Sequence, residues 1–237
     1  TPHTQSAPTE SLEELRSIYA EARRRVEGGS SDASRLAAAG QSAYHLADAL
    51  LQQRAKEPRE EALGLLADAC GSLRHADSCL RLGNARLRGL GGAARDCHAA
   101  RRFYSRACHE LDSPTGCFGL GVIDAKALAS HAPNLPGALE AFDKACRADY
   151  GAACFHLSAL HMIEAPDKPR DLPESLRFAV RACELGYANG CFNAATAYAR
   201  GDCGPRDEAL ANRFRAMGEQ LRASAAAESA SGKTSAS

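Results

Sequence analysis

The chain carries ten cysteines, Cys70, Cys79, Cys97, Cys108, Cys117, Cys146, Cys154, Cys183, Cys191 and Cys203. A thiol can ligate a metal, attack as a thiolate or close a disulfide, and spacing separates these chemistries. Zinc sites favour C-x₂₋₄-C, and no C-x-x-C occurs here. Eight of the ten form close pairs, Cys70/Cys79, Cys108/Cys117, Cys146/Cys154 and Cys183/Cys191. First members step by 38, 38 and 37 residues, and second members by 38, 37 and 37. If the pairs were labile, they would exchange disulfides with a copper or thiol chaperone. Cys97 and Cys203 fall outside the ladder. Cys97 occupies the place of Leu135 and Leu172 in later units and reads as a half-buried helix start. Cys203 lies in an Asp-Cys-Gly-Pro turn and reads as a surface thiol. The sharper alternative for either is a reactive thiol or an intermolecular bridge.

The histidines are the other ligand candidates. His156 and His161 are five residues apart, so on one helix they diverge by roughly 140° and cannot chelate one ion. His98 beside Cys97 and His109 beside Cys108 are adjacent rather than facing. Each histidine reads as solvated or capping, and no metal ligand is assigned. No nucleophile elbow, phosphate loop or paired-carboxylate arrangement is visible. The run Gly89-Leu90-Gly91-Gly92 lacks the strand–helix context of a phosphate cradle. Arg23-Arg24-Arg25 and Arg101-Arg102 are balanced by nearby acids and read as solvated helix faces. The chain is therefore read as non-enzymatic.

A fixed period in the range of ~20–50 residues marks a repeat array. The residues around the pairs repeat as well. Phe103, Phe142 and Phe178 each precede an Ala-Cys step, and Leu80, Phe118, Phe155 and Phe192 each follow a second cysteine. Stepping back 36 residues from Cys79 lands on Ala43 in Ala43-Tyr44-His45-Leu46, an earlier unit without cysteine. Apolar and small residues recur at three- and four-residue spacing, and Pro58, Pro136 and Pro173 suit first helical turns. Each unit is thus predicted as a helix hairpin. The fold class is all-α, an α-solenoid of about five such repeats over 11–222, with a capping helix near Arg206–Arg222. Along a single helix, residues eight or nine apart are ~12–13 Å apart on the axis, whereas a disulfide needs Cα atoms within ~7 Å. Only a chain reversal lets each pair bond. Eight cysteines allow 105 connectivities, and the repeat selects nearest neighbours. Each staple is worth roughly 2.5 kcal/mol in the chain-entropy model.

Composition excludes other classes. Lys+Arg and Asp+Glu both number 29, so the formal net charge is zero, and a nucleic-acid or anionic-membrane binder normally carries a basic surplus. No run approaches the roughly 18 apolar residues of a membrane span. Residues 1–10 and the Ser/Ala-rich tail 223–237 have little to bury and are expected to be disordered.

The stretches Tyr150-Gly151-Ala152-Ala153-Cys154-Phe155-His156-Leu157, Ala182-Cys183-Glu184-Leu185-Gly186-Tyr187 and Gly201-Asp202-Cys203-Gly204-Pro205-Arg206 resemble the disulfide-bonded branch of the Sel-1-like repeat family. The likeness covers about residues 11–222 and is most specific from Asp68 onward. It implies a protein of the mitochondrial intermembrane space, oxidised by the disulfide-relay import machinery. The implied role is in respiratory-complex assembly, that of cytochrome c oxidase, with complex subunits or assembly factors as partners. Haem binding is associated with the family; no ligand motif for it is visible, and no cofactor is required by this reading. The family's first-unit cysteine pair is missing, with Ala43 and Ser34 where sulfur is expected. Two further readings are a permanent accessory subunit of a respiratory complex and a secreted cysteine-rich repeat hydrolase.

Overall fold

A computed structural model of the protein describes residues 11–28, 32–53, 56–90, 94–129, 132–164 and 168–234. The segment 1–10, expected to be disordered, lies outside the described residues. Among the described residues there are eleven helices and no strand. They divide into two compact units, Thr1–Gly116 and Cys117–Ser237.

The first unit holds α1 (Leu12–Glu27), α2 (Ala33–Leu51), α3 (Lys56–Gly71), α4 (Ala76–Arg88) and α5 (Cys97–His109), and it opens α6 (Pro114–Ala125). Polar side chains cap the orphan N–H groups at the helix starts. Ser11 and Glu14 form a capping box on α1, and Asp32, His75 and Asp96 cap α2, α4 and α5. From α1 to α5, each helix packs on the next in sequence. The core between them is built from Leu46, Leu50, Leu66, Cys70, Cys79 and Leu82. A second cluster joins Ala39, Ala43, Ala69 and Leu73.

The first hairpin departs from the register expected for it. Ser34 and Ala43, which stand where the family's first cysteine pair is expected, both lie in α2. Nine residues along one helix span ~13 Å, so this pair of positions could not be bridged. The reason is local: Asp32 caps the helix early, and the alanine-rich run after it has no break before Leu51. Ala43 is fully buried, and Ser34 is exposed.

The second unit continues α6 and adds α7 (Leu135–Arg147), α8 (Gly151–Met162), α9 (Leu172–Glu184), α10 (Ala188–Arg200) and α11 (Glu208–Thr234). Asn134 and Asp171 cap α7 and α9, with Pro136 and Pro173 in the first turns, where no helical N–H is lost. Phe142 is fully buried, and a Cβ on Gly121 would fall 2.7 Å from its ring, so that position must stay bare. Between α8 and α9 two buried hydroxyls satisfy each other: Ser175 donates to the Ser158 carbonyl at 2.9 Å, and the two Oγ atoms are 3.2 Å apart.

One aromatic slot couples successive hairpins. The residue after the second cysteine meets a side chain 32 positions later, Phe118 on Tyr150 at 5.1 Å and Phe155 on Tyr187 at 5.3 Å between ring centroids. In the first unit Tyr44, which follows Ala43, meets His75 31 positions later in a similar way, at 5.6 Å. Phe192 has no further hairpin to meet. Arg222 of α11 covers it at 4.2 Å, and Gly218 leaves room for the ring. The helix expected near Arg206–Arg222 therefore closes the second unit's end. It also runs to Thr234, beyond the boundary at 222 where disorder was expected. Residues 223–230 read Ala-Ser-Ala-Ala-Ala-Glu-Ser-Ala, and alanine is the best helix former. Those from 223 to 228 are exposed. Residues 235–237 lie outside the described residues.

Candidate functional site

The cysteine pairs sit at the elbows of the hairpins. Cys70 and Cys79 join the end of α3 to the start of α4 with Cα atoms 4.8 Å apart. Cys146–Cys154 does the same between α7 and α8 at 4.8 Å, and Cys183–Cys191 between α9 and α10 at 4.6 Å. Cys108 and Cys117 are also disulfide-bonded. All eight sulfurs belong to residues at most 5% exposed.

The elbows share a backbone design. Each turns through one left-handed residue, Arg74, Asp112, Asp149 or Gly186, with φ of 53°, 49°, 61° and 78°. In each, the N–H that follows bonds back to the alanine before the first cysteine: His75 to Ala69, Ser113 to Ala107, Tyr150 to Ala145 and Tyr187 to Ala182, at 2.8–3.0 Å. These bonds satisfy carbonyls that a helix end would otherwise leave bare. The helices approach closely because the residue before each second cysteine is small. A Cβ at Gly116 would lie 2.5 Å from that of Ala107, and a Cβ at Gly190 2.5 Å from that of Ala182. Successive elbows are also tied together: Arg106 donates to the Gly71 carbonyl at 3.0 Å, and Arg181 pairs with Asp149.

The two remaining thiols are free. Cys97 is the first residue of α5 and is partly buried; Cys203 lies exposed in the turn after α10. Desolvation, with Asp202 and then Asp171 nearby, pushes the Cys203 thiol up, so it stays protonated at neutral pH. It lies on the wall of a cleft of about 710 Å³ with Arg147, Arg177, Phe178, Arg181 and Tyr198. Charges in this cleft are paired within the unit. Arg147 meets Asp143 at 2.7 Å, Arg177 meets Glu174 while lying 4.4 Å above the Phe178 ring, and Arg181 meets Asp149.

The histidines divide into two groups. His45, His98 and His109 are exposed, and His75 caps α4, as read from the sequence. His75 Nδ1 accepts from the Ser78 N–H, so its Nε2 donates to Gln41 Oε1 at 3.1 Å. The Gln41 amide nitrogen then lies 2.7 Å from His45 Nε2. His156 and His161 are instead half-buried in aromatic surroundings, which corrects the solvated reading. His156 stacks on Phe142 at 5.1 Å with Phe118 and Phe155 beside it, and His161 stacks on Phe178 at 5.4 Å. Burial pushes both imidazoles below their ordinary pKa. His3 and His131 lie outside the described residues.

Among the described residues no group of three or more His, Cys, Asp or Glu side chains could hold a metal ion. His156 and His161 each stack on one phenylalanine, Phe142 and Phe178, and the Nε2 atoms of His45 and His75 lie against Gln41. No described helix is long and apolar enough to cross a membrane.

The Sel1 repeat family model matches residues 76–110, 151–187 and 188–214. Each match begins at the second helix of a hairpin and runs into the helix after it. Human cytochrome c oxidase assembly factor 7 is 36% identical over 182 residues, covering 75% of this chain and 78% of the relative. The mouse protein of that name is 40% identical over 166 residues, covering 68% and 72%. Among solved structures, a protective antigen of uropathogenic Escherichia coli with an SLR fold matches at a TM-score of 0.68 and 17% identity. That match covers 88% of this chain but only 46% of the antigen. A Sel1 repeat protein from Oxalobacter formigenes matches at 0.65 and 18% identity, covering 93% of this chain and 63% of the other. These two likenesses concern the fold alone. Elbow geometry, repeat period and relatives agree: the chain belongs to the Sel1 repeat family, alongside proteins named cytochrome c oxidase assembly factor 7.

Proposed function

We propose that the chain is a non-catalytic, disulfide-stapled interaction scaffold of the mitochondrial intermembrane space that acts in cytochrome c oxidase assembly. Its partners are subunits or assembly factors of that complex, and the disulfide relay supplies its bridges. The observation that carries this reading is the extent of the likeness to the human and mouse assembly factors, which covers 78% and 72% of their lengths. Bridged cysteines fit an oxidising compartment. The hairpin array supports a binding role, because such folds offer extended surfaces rather than a closed pocket. The cleft beside Cys203 presents arginine, tyrosine and phenylalanine, residue types enriched at protein interfaces.

Tagged protein run on native gels of mitochondrial extracts tests the reading. The tag is expected to migrate with partly assembled oxidase and to be absent from the mature complex, and depletion is expected to lower the amount of mature oxidase. Stoichiometric migration with the mature complex assigns a permanent subunit instead. Unchanged oxidase levels after depletion would contradict the assembly role.

A further inference from the structure

A second cleft, of about 580 Å³, opens in the first unit where the end of α2 meets α3 and α4. Its walls carry three arginines, Arg59, Arg81 and Arg88, together with Leu51, Asn84 and Leu90, and no carboxylate is among its lining residues. In a chain of zero formal charge this is a local concentration of positive charge.

The repeat supplies an internal comparison. Counted from the cysteines, Arg59, Arg81 and Arg88 correspond to Leu135, His156 and Ile163 in one later hairpin and to Leu172, Asn193 and Arg200 in the last. The hairpin bridged by Cys146 and Cys154 therefore folds without arginine at any of these positions. Local contacts account for part of the set. Arg59 Nε donates to the Gln53 carbonyl at 3.1 Å, and Arg81 pairs with Asp48. A guanidinium has five N–H donors, and each of these contacts engages a single nitrogen. Leu90 is held at the rim by its N–H bond to the Ala85 carbonyl at 3.0 Å, yet the residue is 51% exposed.

We infer that this cleft binds an extended acidic protein segment, with carboxylates on the arginine forks and an apolar side chain against Leu51 and Leu90. Guanidinium matches carboxylate through paired N–H···O bonds. A volume of this size suits a few inserted side chains. Leu51 and Leu90 stand beside the arginines, so the cleft offers a single apolar side chain a place between charged ones, the pattern of a protein segment. The inference rests on the reading of the chain as a partner-binding scaffold and adds the chemistry of one partner. A test on purified protein separates it from the assembly role, since either can fail alone.

The test uses a fluorescein-labelled ten-residue peptide with four aspartates around one leucine, filled out with glycine and serine, and its twin with asparagines. Fluorescence polarisation at low salt is expected to give the aspartate peptide at least about tenfold tighter binding, a preference that fades at high salt. Arg88→Glu is expected to abolish the preference. Arg200→Glu, at the corresponding exposed position of the last hairpin, is expected to preserve it; circular dichroism checks that both variants fold. Equal binding of the two peptides overturns the inference, as does equal loss in both variants. Sedimentation with phosphatidylcholine vesicles containing phosphatidylglycerol, lost in Arg88→Glu while the peptide fails to bind, also overturns it and assigns the patch to membranes.

Discussion

Gly190 has no room for a methyl group. A Cβ there would lie 2.5 Å from Ala182 Cβ and 2.8 Å from the Ala179 carbonyl oxygen, so the backbones of α9 and α10 would have to part. Gly190→Ala is expected to destabilise the fold by about 1–3 kcal/mol, the usual cost of forcing extra volume into a packed interface, read as a lower urea midpoint. The small-then-cysteine signature was legible in the sequence, because a close approach at a fixed register leaves the same residue types each time. Histidine environments were not legible. Nothing near His156 in the chain announces that Phe142 stacks on it, because that contact is made by a different helix. Burial lowers the pKa of His156 and His161 in the fold, while in the unfolded chain they take up protons near their ordinary pKa of 6.5. Their contribution is therefore intact above that pH and is lost as the pH falls below it. Thermal midpoints are expected to drop between pH 7.5 and 5.5, and His156→Phe should make that drop shallower. An unchanged slope would show that His156 does not contribute to it.

Helix hairpins are fixed by elbows, and the elbows by bonds that recur in each. The bridge between Cys183 and Cys191 closes a loop with a sequence separation of 8. Removing it as Cys183→Ala with Cys191→Ala is expected to cost about 2.5 kcal/mol through the freed unfolded chain, measured by denaturant titration under non-reducing conditions. A loss near zero would mean that the left-handed turn and the Tyr187–Ala182 backbone bond hold the elbow unaided. Helix count and most starts could be read from prolines, caps and period. The start of α2 could not. An alanine-rich run carries no internal stop, so the boundary moved to the Asp32 cap and the first hairpin lost the shared register. The extension of α11 past Arg222 is hidden for a similar reason: the tail has little to bury, and helix propensity alone suffices to continue a helix already nucleated.

At the scale of the molecule, the chain is a set of near-identical local solutions, which is why a period in eight of the ten cysteines carries so much of the fold. Repeats of this kind gain stability from neighbour contacts, and the aromatic slot from Tyr44–His75 to Phe192–Arg222 is the visible form of that coupling. What varies between repeats is the surface, and there the arginine cleft of the first unit and the paired-charge cleft of the second differ. That variation suits a scaffold whose constant part is structure and whose variable part is recognition. Division into two compact units was not legible, since the cysteine period runs through it. The central claim is that the ladder is oxidised within hairpins and that two thiols stand apart. Alkylation of the unreduced protein, followed by intact-mass and peptide mapping, tests it most directly. The expected result is two adducts, on Cys97 and Cys203, with cross-linked peptides joining Cys70 to Cys79, Cys108 to Cys117, Cys146 to Cys154 and Cys183 to Cys191. Adducts on the eight ladder cysteines, or cross-links between different hairpins, would contradict it.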